Sequence, residues 1–223
     1  MAQVTFHSMP DSAYLWTAMH VADEKGVTYD FVPLEYRSEE HLKLHPFGKM
    51  PVMKQDDFVL YETIAIAHYL DAGFRGPPLR PRDVRGQTEV LRWISIINSY
   101  VFPIMNRFTK ERLVKPAWGF EVDQAFVDSA KEPLDVQMRM IGEMLTLHPF
   151  LVGERFTLAD SFLLPHLLFF SLTPEGTELI RRWPAVATWL KRMRDRPTFQ
   201  KNMMSAAFTA MEAGARARQE AAA

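Results

Sequence analysis

Between Gly73 and Pro81 the chain places two glycines and three prolines, and this segment separates two patterns that no single layer of structure can accommodate. Before it, strand-like and helix-like stretches alternate. After it, every strong periodicity is helical. A break of that composition between such patterns marks a boundary between two packed units. The 223 residues, 48% of them hydrophobic, suffice for both cores.

The front unit opens with a β-rich run from Val4 to His7. An apolar stripe at helical spacing follows, Leu15, Ala18, Met19 and Ala22, closed by Gly26. Tyr29 to Leu34 reads as a second strand and Ser38 to Leu44 as a short helix. Pro51 to Lys54 and Phe58 to Leu60 flank Gln55-Asp56-Asp57 as a hairpin, and a helix runs from Glu62 to Asp71. The order βαβαββα predicts a small mixed sheet whose parallel pair is joined through the first helix. Beyond Asp83, Pro103, Pro116, Pro133, Pro149, Pro174 and Pro184 divide the chain into six predicted helices, since proline is tolerated at helix starts and disfavoured inside them. The stripe Leu134, Met138, Ile141 and Leu145 gives one of them a buried face. The alanine-rich tail from Ala210 is expected to fray. The expected domains are residues 1–78 and 87–223, with a linker over 79–86.

Composition removes several functions. With 26 basic against 27 acidic residues there is no field to gather nucleic acid or an anionic membrane, so the expected partner is a small molecule or another protein. The most apolar window, Phe162 to Phe170, contains Pro165 and His166 and falls far short of the roughly twenty residues that span a bilayer. The amino terminus shows neither a basic leader nor a long apolar run, which predicts a cytoplasmic protein. Cysteine is absent, so no protein thiol can be the nucleophile, and disulfides and thiolate metal sites are excluded.

Several residues carry chemistry. Glu62-Thr63 follows a strand and opens a helix, so Thr63 can offer a hydroxyl and a backbone N–H to an anion while Glu62 pairs with a cation, a combination suited to an amino acid head group. In the competing reading Thr63 caps the helix and Glu62 complements its dipole. Pro51 enters a strand; were its peptide cis, the Met50 backbone could pair with an extended peptide. Ser12, after Pro10-Asp11 at the start of the first helix, is either a helix cap or a hydroxyl that donates to a ligand sulfur. His41 and His45 are four apart, but Pro46 follows and no third ligand is near, which predicts a surface loop and no metal site. Phe156-Thr157-Leu158-Ala159-Asp160 reads as a capping box with a folding role.

The runs HPFGKMPVM, LYETIAIAHYL, FRGPPLRPRD and FTLADSFLLP, in that order across nearly the whole chain, resemble the cytosolic glutathione transferase superfamily. The resemblance is to serine-type members, bacterial-like or phi/theta-like, and not to a cysteine-type class. It implies an α/β plus all-α protein: a thioredoxin-like βαβαββα domain followed by an α-helical bundle. It also implies glutathione as co-substrate, a homodimer to which Phe47 contributes an apolar contact, and no metal. Pro51 would be cis, Met50 would hydrogen bond the cysteinyl part of glutathione, Glu62 and Thr63 would hold the γ-glutamyl group, and Lys49 would lie near the glycyl carboxylate. Ser12 matches the thiol-activating serine, with Ser8 and Tyr14 as competitors. His45 departs from the usual asparagine and Thr63 from the commoner serine. The second substrate, a small electrophile, would meet Tyr14, Tyr100, Met105, Arg107, Phe108, Trp118 and His166, each of which has an ordinary packing or surface role as its alternative. The expected reaction is attack of the glutathione thiolate on an electrophilic carbon. Cleavage of a β-aryl ether, reductive dehalogenation and binding without turnover are the alternatives.

Overall fold

The computed structural model describes residues 3–202 and 209–215. Its front half contains β1 (Val4–Ser8), α1 (Ala13–Lys25), β2 (Tyr29–Pro33), α2 (Glu39–Leu44), β3 (Val52–Gln55), β4 (Phe58–Tyr61) and α3 (Thr63–Gly73). The sheet order is β2-β1-β3-β4, with β1 parallel to β2 and the other pairs antiparallel. Strand β1 lies inside the sheet, so its Val4 and Phe6 are buried, as are Val52 and Met53 of β3. Helix α1 ends where predicted because Gly26 adopts φ 69 and its N–H bonds the carbonyls of Ala22 and Asp23, a left-handed cap that other residues enter at a cost.

The back half is helical. After α4 (Val84–Ile96) the backbone stays helical to Ala117, through a π turn (Ile97–Val101), α5 (Phe102–Thr109), a second π turn (Lys110–Val114) and the short α6 (Lys115–Ala117). Pro103 and Pro116 therefore do not divide helices as their spacing predicts. Each stands in the first turn after a π segment, where the wider ladder, shown by Phe102 N–H bonding Ile97 O, leaves room for a residue that has no N–H. There follow α7 (Gln124–Ser129), α8 (Lys131–Leu147), α9 (Leu158–Ser171), α10 (Pro174–Arg182), α11 (Pro184–Arg194) and α12 (Pro197–Asn202). Pro174 and Pro184 open their helices as expected. Residues 209–215 are also helical, and Ala215 is buried in the core while Met211 packs against it, so fraying from Ala210 is corrected over that stretch. The remainder of the tail is outside the described residues.

Helix α9 is buried along all but its last residue, as a helix that is apolar all round must be. It packs against α4, α5, α10 and α11 of the helical half and against α1 of the front half. Trp16 of α1 stacks on Phe169 of α9 with ring centroids 4.9 Å apart, and Trp16 Nε1 donates to Pro10 O. The loop carrying Ser12 is thereby fixed to both halves. A polar tie completes the joint: Arg196 donates to both carboxylate oxygens of Glu24 at 2.7 and 2.6 Å, and Thr198 Oγ1 also donates to that carboxylate.

Burial alone would raise the Glu24 carboxyl, but His20, Arg196 and Thr198 outweigh it and hold the group at about 2, below its ordinary 4.5. Because the folded value is depressed, the stabilisation is present above 4.5 and is lost as pH falls toward 2. E24Q is accordingly expected to melt with a shallower dependence on pH across that window than the wild type. Equal slopes would show that this tie does not contribute.

Candidate functional site

The turn after α2 brings the first group of residues together. Gly48 takes φ 58 and donates its N–H to His45 O at 2.8 Å. A β-carbon there would press within 3.2 Å of Leu42, so the tight reversal from His45 to Gly48 favours glycine on two grounds. The chain then enters β3 through a cis Met50–Pro51 peptide. His41 and His45 are not a surface loop, as their spacing suggested, because both rings are buried. Arg37 N–H donates to His41 Nδ1 at 2.9 Å, which leaves the ring proton on Nε2 to donate to Lys49 O, also at 2.9 Å. His41 therefore clamps the carbonyl just ahead of Met50. Its signal in the sequence, a histidine on the short helix before a Pro-Phe-Gly turn, has no meaning until the turn folds back.

The second group stands at the start of α3. Glu62, not Thr63, occupies the cap position, and its side chain makes no capping hydrogen bond, which corrects the reading in which Thr63 caps the helix. Glu62 is held at φ 71, a conformation that costs a non-glycine residue roughly 1–3 kcal/mol. Its carboxylate is 64% exposed and lies 3.8 Å from His45 Nε2. Strain at a charged, outward-facing residue that does not cap its helix is characteristic of a binding position. The opening residues of α3, Thr63 and Ile64, line a cleft, where an anion could complete the unpaired N–H groups of a helix start.

These two groups converge. Lys49, Met50, Pro51, Glu62 and Thr63 line one cleft of about 310 Å³ together with His45, Tyr14, Asn98 and Phe102. The cleft joins a cation, an acidic group beside a helix amino terminus, and a strand entrance, which fits a zwitterionic peptide head and an extended peptide backbone.

A second, more apolar groove of about 360 Å³ adjoins it, and Tyr14 and Phe102 line both. Ser12, Asn106 and His166 also face this groove. Ser12 caps α1, its Oγ accepting from Leu15 N at 3.4 Å, and an accepting hydroxyl still has its own proton to donate. The capping and thiol-donor readings of Ser12 are thus compatible. A hydrogen bond from Met9 N–H to Met50 Sδ at 3.1 Å links the Ser12 loop to the cis-proline turn.

The competitors are placed differently. Ser8 is fully buried at the end of β1 and is not among the residues lining either hollow. Tyr14 donates its hydroxyl to Asn98 Oδ1 at 3.1 Å, and burial, reinforced by the Glu62 charge, raises its phenol well above the usual range, so it stays protonated and engaged. Of the other residues expected at the second pocket, Met105 and Phe108 are buried in the core. Tyr100 lines a separate groove with Pro133, Val136 and Met140. Arg107 is paired with the buried Glu111 and with Asp123 and lies over the Phe126 ring, so its charge is already matched within the helical half. Trp118 is 75% exposed and lines neither hollow. Among the described residues no cluster of three or more His, Asp or Glu is arranged to hold a metal, and no helix is long and apolar enough to cross a membrane.

A four-stranded mixed sheet, a cis proline facing a cleft beside a helix amino terminus, and an appended all-helical half define a thioredoxin-like domain joined to an α-helical one. Family models agree with that class: the glutathione S-transferase N-terminal domain matches residues 2–72 and the glutathione S-transferase C-terminal domain matches residues 124–192. Glutathione S-transferase 3 of Zea mays is 30% identical over 213 residues, covering 91% of this chain and 94% of that protein. A solved structure of glutathione S-transferase III in apo form superimposes with a TM-score of 0.83 at 29% identity, over 91% of this chain and 96% of that one. Glutathione S-transferase I from maize, solved with an atrazine glutathione conjugate, gives a TM-score of 0.80 at 25% identity over 95% and 98% of the two chains. The chain belongs to the glutathione S-transferase family.

Proposed function

We propose that this chain is a glutathione transferase that binds glutathione in the first cleft and directs its thiolate at an electrophilic carbon of an apolar substrate held in the second groove. The observation that supports this most is the gathering of Lys49, Met50, Pro51, Glu62 and Thr63 around one cleft that shares a wall with the groove of Ser12. In this reading Glu62 takes the ligand's ammonium, the Thr63 hydroxyl and the N–H groups of α3 take its α-carboxylate, the Met50 backbone pairs with the cysteinyl unit, and Lys49 meets the glycyl carboxylate. Ser12 donates to the sulfur as the positive end of α1 helps to hold it ionised.

Three further features belong to the proposal. The domains are residues 1–78 and 87–223 with a linker between them, supported by the end of α3 at Gly73, although α4 already begins at Val84, inside the linker. The protein works in the cytoplasm, in detoxification of electrophiles. It acts as a homodimer, supported by Phe47, which stands 67% exposed on the turn before the cis proline as an apolar side chain without cover in its own subunit.

Calorimetric titration of glutathione tests the binding part. E62Q and T63V are each expected to weaken binding about tenfold, the equivalent of 1.4 kcal/mol, through loss of a charge-assisted hydrogen bond. Unaltered affinity in both would remove the α3 amino terminus from the site. The same wild-type sample is expected to sediment as a dimer, and a monomer at assay concentrations would contradict the homodimer.

A further inference from the structure

His45 lines the first cleft, yet its side chain is only 1% exposed, and a histidine set that deep needs a reason. Its backbone closes the turn, the N–H bonding His41 O and the carbonyl accepting from Gly48 N–H. Any residue but proline makes those bonds. The side chain does something else. It lies against the Tyr61 ring at 4.5 Å between centroids and brings Nε2 to 3.8 Å from Glu62 Oε1. Nδ1 is buried with no hydrogen-bond partner among the described residues. A leucine or phenylalanine would fill the position without leaving that nitrogen orphaned.

The charged and titratable side chains around the ring are Glu62 at the start of α3, His41 on α2, Lys49 on the turn and Tyr61 on β4. Burial holds the imidazole below its ordinary 6.5, with the Glu62 carboxylate opposing and the charges of His41 and Lys49 adding to the effect. At neutral pH the ring is therefore uncharged, with one N–H and one bare nitrogen. The nearby carboxylate favours the proton on Nε2, which leaves Nδ1 as the bare one. At 3.8 Å the separation exceeds a hydrogen bond, and among the described residues no hydrogen bond to the Glu62 carboxylate is made. The N–H dipole thus orients a carboxylate whose oxygens remain open to a ligand. Protonation replaces that dipole with a full positive charge beside the same carboxylate.

We propose that His45 is a positioning residue for Glu62: the neutral ring orients the carboxylate toward the ammonium of glutathione, whereas the imidazolium pairs with the carboxylate and competes with that ammonium. The proposal rests on the reading above in which Glu62 receives the ligand's ammonium. Linkage fixes the sign of the effect. An ammonium on Glu62 disfavours a second cation beside it, so His45 titrates lower in the bound protein than in the free one, and affinity is lost as pH falls through the free value.

The test uses S-methylglutathione, which has the ammonium and both carboxylates of glutathione and no thiol to titrate. Its Kd is measured by calorimetry between about pH 7.5 and about pH 5 in wild type, H45N, H45Q and E62Q. Wild-type affinity is expected to weaken about threefold or more toward the acid end, since each unit by which the ligand shifts the imidazole is worth a factor of about ten. H45N and H45Q keep an N–H and gain no charge. Whichever of them folds is expected to bind within about threefold of wild type at the upper pH and to vary less than about twofold over the range. E62Q, weaker throughout, is expected to be equally flat. His41 is unchanged in all four proteins, so its own titration cancels in the comparison. A flat wild type overturns the proposal, as does a wild-type slope that survives in either His45 variant or in E62Q. A wild type that does not bind the probe at the upper pH overturns the reading of the cleft as a glutathione site, whereas binding there with the slope retained in H45N overturns the role of His45 alone.

Discussion

S12A is expected to turn over electrophiles at least about tenfold more slowly than wild type while binding glutathione with nearly the same affinity. The hydroxyl contributes one donor to the sulfur, and a hydrogen bond to an ionised acceptor is roughly twice as strong as a neutral one. Ser12 also caps α1 through Leu15 N, so the substitution should lower stability by about 1 kcal/mol. These two effects are separable, because the cap loss moves the melting temperature and the thiolate loss moves kcat. S12T keeps both a hydroxyl and a capping oxygen and is expected to retain part of the rate. Steady-state kinetics at saturating glutathione decides the matter: full activity in S12A would remove Ser12 from the chemistry and leave it a cap.

D160A is expected to have the largest effect on stability of any single change considered for this chain. Asp160 is completely buried. It accepts hydrogen bonds from Leu151 N and Trp189 Nε1 through Oδ1, and from Thr157 N and Oγ1 through Oδ2. Burial pushes its carboxyl up, opposed by those four donors. Alanine would leave buried donors from three separate segments unsatisfied, and at about 1–3 kcal/mol for each such group the loss should be near 4 kcal/mol. For a chain of this length that corresponds to a fall in melting temperature of roughly 10 °C. D160N should recover part of the loss, since its amide oxygen can still accept. A fall of only a degree or two in D160A would show that the network is dispensable.

Asp160 also illustrates what the sequence could reveal. The motif Thr157 to Asp160 announces a helix start, and the structure bears out the local contact between the two residues. What it cannot announce is Trp189, which lies 29 residues further on in α11 and turns a cap into a junction. The front strands were legible because they are short and separated by turn residues, although β1 pairs with β3 nearly fifty residues away, as Thr5 with Lys54. The long helical run from Val84 to Ala117 was not, since proline spacing signals a break and the π turns that accommodate Pro103 and Pro116 leave no local signature.

The candidate site divides in the same way. Residues whose meaning lies in adjacent positions, such as Met50-Pro51 and Glu62-Thr63, could be read in order along the chain. His41 and His45 could not, because their burial depends on the turn folding back over α2, and a pair spaced four apart in a polar stretch looks like an exposed face. Arg107 resembled a substrate-facing charge only while its partners Glu111 and Asp123 were unknown. Among aromatic and methionine residues of the helical half, packing and recognition share one pattern. Folding was needed to separate Met105 and Phe108, in the core, from Tyr14 and His166, on the groove.

In the proposed mechanism a chain without cysteine activates the thiol of its ligand through a serine hydroxyl and a helix end. Titration of the ultraviolet absorbance of the thiolate in the glutathione complex, followed in wild type and S12A, reads that activation at the sulfur itself. The bound thiol is expected to ionise about two pH units below free glutathione, equivalent to roughly 2.7 kcal/mol of preferential stabilisation, and S12A is expected to move it back toward the free value. A bound thiol that titrates with the free one, or an S12A complex indistinguishable from wild type, would contradict it.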